Sequence, residues 1–139
     1  MLIGEFEHSL DAKGRVAIPT KFREDIGGSF FITKGIDSCL FVLPCEEWKI
    51  IEKKIRDMPI SKARTLQRFF FSGAVNVETD KQGRVLIPAN LRAYANLKKD
   101  VTFVGVSSRV EIWNSDDWKE LSKTLTKEDA LNAMDLLGL

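Results

Sequence analysis

The chain has 139 residues, 44% of them hydrophobic, and its 21 basic and 20 acidic side chains leave a formal charge of +1. That composition predicts a folded core, and the near balance excludes a strongly basic tail while leaving room for a local basic face. The opening MLIGEFEHSLDAKGR is too polar for an export signal, and no run nears the ~18 apolar residues of a membrane span, so the expected compartment is the cytoplasm.

From the N-terminus, a short extended run leads to Asp11-x-x-Gly14-Arg15, where Asp favours the start of a turn and Gly supplies a position needing positive φ. RVAIP follows with branched residues at alternate positions, as in a strand, and Pro19 ends it and opens a short helix holding Phe22 and Arg23. FFITKG and CLFVL read as two more strands. A helix comes next, with Trp48, Ile51, Ile55 and Met58 on one face at the 3.6-residue period. SKARTLQRFFFSG reads as a connecting helix stopped by Gly73. Its Phe69-Phe70-Phe71 run is too wide for one helical stripe and belongs at a junction between halves or between subunits.

The pattern then starts again. At an offset of 69, Asp11, Gly14, Arg15, Val16, Ile18, Pro19 and Arg23 recur as Asp80, Gly83, Arg84, Val85, Ile87, Pro88 and Arg92, and Leu91 replaces Phe22. At an offset of 70, Gly35, Ser38 and Trp48 recur as Gly105, Ser108 and Trp118. VTFVGV and RVEIW repeat the strand pair, and Trp118, Leu121 and Leu125 repeat the helix stripe. A unit of about 70 residues therefore occurs twice. The expected division is a first module with its helix over 1–60, a connecting helix over 61–74, a second module over 75–125 and a helical tail over 126–139. The fold class is mainly β with short helices, α+β. Halves this small bury little alone, so close packing between them, or between subunits, is expected.

The turns are the candidate site. Asp11 and Asp80 can accept backbone N–H groups and pair with the arginine across the turn, and Gly14 and Gly83 allow the bend. An arginine at the rim of a hairpin can also enter a DNA groove, grip guanine with two hydrogen bonds or clamp a phosphate. Arg15 and Arg84 are assigned that role, with Lys13, Lys21, Arg23, Lys81 and Arg92 as the surrounding positive field. Two copies suit DNA better than chemistry, because repeated turns add contacts and fix a spacing on the duplex.

Other chemistry has little to build on. His8, the sole histidine, sits in a strand-like run and is expected to pack or face solvent. Cys39 and Cys45, six apart without a second Cys/His pair, are expected as reduced thiols rather than zinc ligands. Glu46, Glu47, Asp116 and Asp117 read as first-turn acids of helices, and Gly27-Gly28 lacks the context of a nucleotide-binding loop. No enzyme, cofactor or small-molecule substrate is expected.

GEFEHSLDAKGRVAIPTKFR, GIDSCLFVLPCEEW, RFFFSGA, DKQGRVLIPANLRAYANL and GVSSRVEIW together resemble the bacterial MraZ family of the AbrB-like, swapped-hairpin class, over about residues 1–137. The resemblance implies tandem AbrB-like modules forming a pseudo-twofold barrel. It also implies a regulator, on balance a repressor, of the cell division and cell wall gene cluster. Such a protein would bind direct repeats in promoter DNA as a ring-shaped homo-oligomer associated with the nucleoid. The family's D-x-x-x-R element maps onto Asp11 and Arg15, and onto Asp80 and Arg84; Gln82 stands where the first copy has Lys13, so the copies can contribute unequally. The alternative is an AbrB-like antitoxin or protein-binding module. Two units and an apolar helical tail favour the self-assembling regulator instead.

Overall fold

The computed structural model describes residues 1–138. The first copy runs β1 (Leu2–Ser9), β2 (Arg15–Ala17), α1 (Thr20–Ile26), β3 (Ser29–Lys34), β4 (Leu40–Pro44) and α2 (Cys45–Arg56). After α3 (Ile60–Leu66) and a π-helical turn (Gln67–Phe71), the second copy runs β5 (Val75–Glu78), β6 (Arg84–Leu86), α4 (Ala89–Tyr94), β7 (Asp100–Ser107), β8 (Val110–Asn114) and α5 (Ser115–Ser122). The tail forms α6 (Lys127–Met134) and a 3-10 turn (Asp135–Leu137).

Prolines set most of the helix starts. Pro19, Pro44, Pro59 and Pro88 each stand immediately before a helix, where their missing N–H costs nothing and their fixed φ admits the first turn. Asn114 takes the place of Pro44 in the second copy and caps by another route: its side-chain oxygen accepts from the N–H groups of Asp116 and Asp117. The predicted stripes fit with two differences. Met58 lies just past the end of α2, and α5 stops at Ser122, leaving Leu125 exposed rather than on the Trp118–Leu121 face.

The strands form an antiparallel six-stranded sheet in the order β1-β7-β8-β4-β3-β5, plus a separate two-stranded ribbon of β2 and β6. The order reads the same from either end once the copies are exchanged. Each copy's first strand pairs with the other's third: β1 lies on β7 and β5 on β3. The expected barrel is not closed, because β1 and β5 remain as two separate edges. The pairing also corrects the offset read from the sequence. Lys34 faces Leu40, whereas Gly105 faces Val110. The second hairpin loop is thus one residue shorter, and Gly105 corresponds to Lys34, not to Gly35. Identical letters had masked a shift that the ladder makes plain.

The core joins both copies at matching positions: Val16, Ile18 and Phe22 with Val85, Ile87 and Leu91, beneath Phe30, Ile32, Val101 and Phe103. Phe6 meets Phe22 edge to face with centroids 5.1 Å apart. Each such buried side chain contributes about 1.5–3 kcal/mol, so neither half keeps its core without the other. The π-helical turn spreads three consecutive phenylalanines onto three neighbours: Phe69 onto Tyr94 of the second copy, Phe70 onto Phe41 and Phe71 onto Trp48. That places the run at the junction between halves. On the other sheet face, Cys39, Val104 and Trp113 form a second cluster. There Glu111 is buried and receives hydrogen bonds from Trp113 Nε1 and Arg109. Tail residues 123–138 are exposed throughout. No described helix is long and apolar enough to cross a membrane.

Candidate nucleic-acid interface

Each turn is held by its aspartate. Asp11 Oδ1 accepts the backbone N–H groups of Lys13 and Arg15 at 2.9 and 2.8 Å, and Arg15 Nε donates to Oδ2 at 3.0 Å. The second copy repeats this: Asp80 Oδ1 accepts from Gln82 and Arg84 at 2.8 and 2.9 Å, and Arg84 Nε donates to Oδ2 at 3.0 Å. These bonds favour the charged carboxylates. The backbone N–H groups of Arg15 and Arg84 are the chief cause holding Asp11 and Asp80 below the usual carboxylate range. Because the aspartates engage only Nε, the terminal nitrogens of Arg15 and Arg84 have no protein acceptor among the described residues.

The glycines adopt φ of +88° and +75°, the left-handed side that side chains avoid. They also let the two turns cross-link. Ile87 N–H donates to the Gly14 carbonyl at 2.8 Å, and Ile18 N–H to the Gly83 carbonyl at 2.9 Å. The Arg92 guanidinium lies over Gly14, and that of Arg23 over Gly83, so close that a Cβ on either glycine would stand 2.8 or 2.4 Å from the guanidinium carbon. Arg23 Nε donates to the Ile18 carbonyl at 2.9 Å, whereas Arg92 Nε is buried without a partner among the described residues.

The β2·β6 ribbon fixes what the two turns share. Its register sets Arg15 opposite Leu86, Val16 opposite Val85 and Ala17 opposite Arg84. Paired residues lie on one side of a ribbon and alternate along it, so Val16 and Val85 face the core while Arg15, Ala17, Arg84 and Leu86 share the outer face. The two arginines are diagonal neighbours there, a spacing of roughly 7–8 Å in such ribbons and within reach of long side chains. Leu86 is 54% exposed between them.

The structure therefore brings Asp11, Lys13, Gly14 and Arg15 together with Asp80, Lys81, Gly83 and Arg84 on one ribbon and its ends, with Arg23 and Arg92 reaching each turn from the opposite copy. Lys13 and Lys81 are exposed on the turns. Lys21 is exposed on α1, two positions before Arg23 and outside the ribbon. Sequence reasoning missed Leu86 and the crossing of the arginines. The repeat gave every partner's type, but only strand exchange says which copy supplies it. His8 packs edge to face on Phe103 at 5.6 Å, and burial, then the Arg23 charge, lowers its pKa. Burial and then Glu111 push the Cys39 thiol up to about 12, so it stays protonated. Cys45 Sγ donates to the Ser29 carbonyl. No group of three or more metal-ligating side chains occurs among the described residues.

Fold and site define a class: a duplicated α+β chain whose exchanged strands set two matching arginine turns on one ribbon. The family model described as "MraZ protein, putative antitoxin-like" matches residues 1–69 and again residues 70–136. A transcriptional regulator MraZ from Thermoanaerobacter sp. (strain X514) is 59% identical over 124 residues, covering 88% of this chain and 87% of that protein. Those of Acetivibrio thermocellus (strain ATCC 27405) and Clostridium tetani (strain Massachusetts / E88) are 50% and 47% identical, the first over 100% of both chains and the second likewise. The chain belongs to the MraZ family. It is a transcriptional regulator, a class defined by control of gene expression and not by catalysis.

Proposed function

We propose that the chain binds double-stranded DNA sequence-specifically, with the outer face of the β2·β6 ribbon set in the major groove. A two-stranded ribbon fits that groove, and an arginine's terminal nitrogens match the O6 and N7 acceptors of guanine. The observation that carries the reading is the pairing of Arg15 and Arg84 on one outer face, each aimed by its aspartate through Nε alone. Ala17 and Leu86, between them, suit the methyl groups of thymine. Lys13, Lys21, Lys81, Arg23 and Arg92 supply positive potential toward phosphates or hold the turns.

One ribbon spans few base pairs, so affinity comes from repetition. The proposed regulator is a ring-shaped homo-oligomer on promoter direct repeats of the cell division and cell wall gene cluster, acting as a repressor in the nucleoid-associated cytoplasm. What supports self-assembly is the exposed apolar tail, with Leu131, Leu136 and Leu137 uncovered within the single chain. The second reading, an antitoxin or protein-binding module, draws on the description of the matching family model as putative antitoxin-like and predicts a partner that co-purifies.

The test is a DNA titration with the promoter upstream of the chain's own gene and a scrambled duplex of equal length. The parent is expected to prefer the promoter, and the R15A/R84A double variant to lose that preference while keeping its fold and native mass. Equal affinity of parent and double variant for the promoter overturns the reading.

A further inference from the structure

Strand exchange gives each turn a neighbour from the other copy, and these neighbours differ sharply in charge. Beside the first turn lies an open cleft of about 520 Å3 lined by Asp11, Ala12, Arg92, Leu97, Lys98 and Lys99. The loop before β7 is fixed there by the Leu10 N–H, which donates to the Lys99 carbonyl at 2.7 Å, and by Leu97, which is buried. The corresponding cleft beside the second turn, about 290 Å3, is lined by Arg23, Glu24, Gly27, Gly28 and Thr79 among others. The first cleft thus gathers three cations against one carboxylate, and the second one cation against one carboxylate. A third cleft, about 210 Å3, is lined by Glu7, His8, Asp100, Asp116 and Lys119 and has the opposite sign.

Three features of the first cleft point to an anion. Its one carboxylate, Asp11, is already engaged by Arg15 and two backbone N–H groups. Lys98 and Lys99 are exposed and enter no ion pair among the described residues. Arg92, which lines the cleft, enters no ion pair and donates no side-chain hydrogen bond among them, although its counterpart Arg23 donates to a carbonyl. Gathered cations repel one another, and a phosphate relieves that repulsion, offering charge and several acceptor oxygens at once to the two lysines and to the part of the Arg92 guanidinium that lines the cleft.

We infer that Arg92, Lys98 and Lys99 form a phosphate clamp that holds the DNA backbone beside the first turn, so that this turn anchors the protein while the second reads without such an anchor. The inference rests on the DNA-binding reading above and adds to it a site made by residues of one copy next to the turn of the other. Phosphate contacts position a protein on the duplex and carry little sequence information. The clamp therefore sets affinity and its salt dependence, and the ribbon sets specificity.

The test measures binding of the full chain to the promoter and scrambled duplexes across roughly 50–200 mM salt, where each phosphate neutralised adds about 0.9 to the slope of log affinity against log salt. K98Q/K99Q is expected to lower that slope by about 1–2 per bound chain, weakening both duplexes alike and leaving their affinity ratio unchanged. Gly28→Lys is the converse variant. No atom lies within 4 Å of a Cβ built there, so a lysine fits, and it is expected to raise the slope by about 1. Thermal melts check that both variants fold. Unchanged slopes in both variants, with the parent still preferring the promoter, overturn the clamp and leave the DNA reading standing. A parent that binds neither duplex overturns both. Calorimetry with inorganic phosphate alone separates the two sources of phosphate: no saturable binding is expected, and a saturable site lost in K98Q/K99Q with the DNA slope intact overturns the backbone assignment.

Discussion

At the first turn Asp11 gathers two backbone N–H groups and its arginine at 2.9, 2.8 and 3.0 Å; at the second, Asp80 does so at 2.8, 2.9 and 3.0 Å. The side chains of Arg15 and Arg84 are 36% and 32% exposed. Around these near-identical cores the surroundings diverge. Lys13 gives way to Gln82, Ala12 to Lys81, and the Lys98-Lys99 loop to Gly27-Gly28. Duplication has preserved the hydrogen-bonded geometry that aims an arginine and let drift the charge that surrounds it. Geometry and charge are thus separable in one molecule, and each can be perturbed without the other.

The largest expected effects are on DNA affinity. Because the two arginines are aimed alike, R15A and R84A should each cost about 1–3 kcal/mol of promoter binding, and the two losses should agree within about threefold. Titration of both single variants on the same duplex checks this. A large loss in one and none in the other would mean that surrounding charge, not turn geometry, selects the working arginine.

Next come the glycines, read by thermal or denaturant unfolding. Gly14→Ala and Gly83→Ala should each lose roughly 1–2 kcal/mol of stability for the left-handed φ. Gly83→Ala should lose about 1 kcal/mol more, because the new Cβ displaces an Arg23 guanidinium that is hydrogen-bonded to the Ile18 carbonyl. Arg92, displaced from Gly14, has no such Nε bond to give up. Equal losses would show that the bond contributes nothing at this site.

Much of this was legible in the sequence, and its failures share one cause. Asp-x-x-Gly-Arg announced the turns because the residues that make a turn are neighbours in the chain. The starts of α1 and α4 were legible for the same reason, since Pro19 and Pro88 act on the residues that follow them. Strand partners are not local. Nothing in GEFEHS says that β1 pairs with β7 of the other copy, and in place of the expected pseudo-twofold barrel stands an open sheet with β1 and β5 at its edges. Arg23 and Arg92 were legible as basic residues of a repeat, but not as covers for each other's glycines. Leu86 looked like an ordinary strand residue until the register turned it outward beside Arg84.

Leu86 supports a smaller prediction. If the ribbon's outer face meets thymine methyl groups, L86A should weaken promoter binding about fourfold for each methyl group the side chain no longer covers, the equivalent of one buried CH2. Replacing thymine by deoxyuridine in the duplex should weaken the parent by a similar factor and L86A no further. Undiminished sensitivity of L86A to that replacement would remove Leu86 from the interface.

The smallest effect lies in the acid range, where the two turns should again behave alike. Asp11 and Asp80 have folded pKa values below their unfolded ones, so between the two the unfolded chain binds more protons and stability rises with pH. Their contribution is present above about pH 4, the ordinary carboxylate value, and is lost as pH falls through the lower folded values. Both carboxylates are exposed to solvent, which screens their charge and keeps the contribution modest. Asn at either position keeps an oxygen for the turn's N–H groups but not the charge. D11N/D80N should therefore melt below the parent at pH 6, and the two melting curves should converge as the pH falls well below 4, roughly the unfolded carboxylate pKa. Each single variant should account for half the difference. A parent and double variant separated by the same margin at every pH would assign the acid limb to other carboxylates and leave the turns' charge without a role in holding the fold.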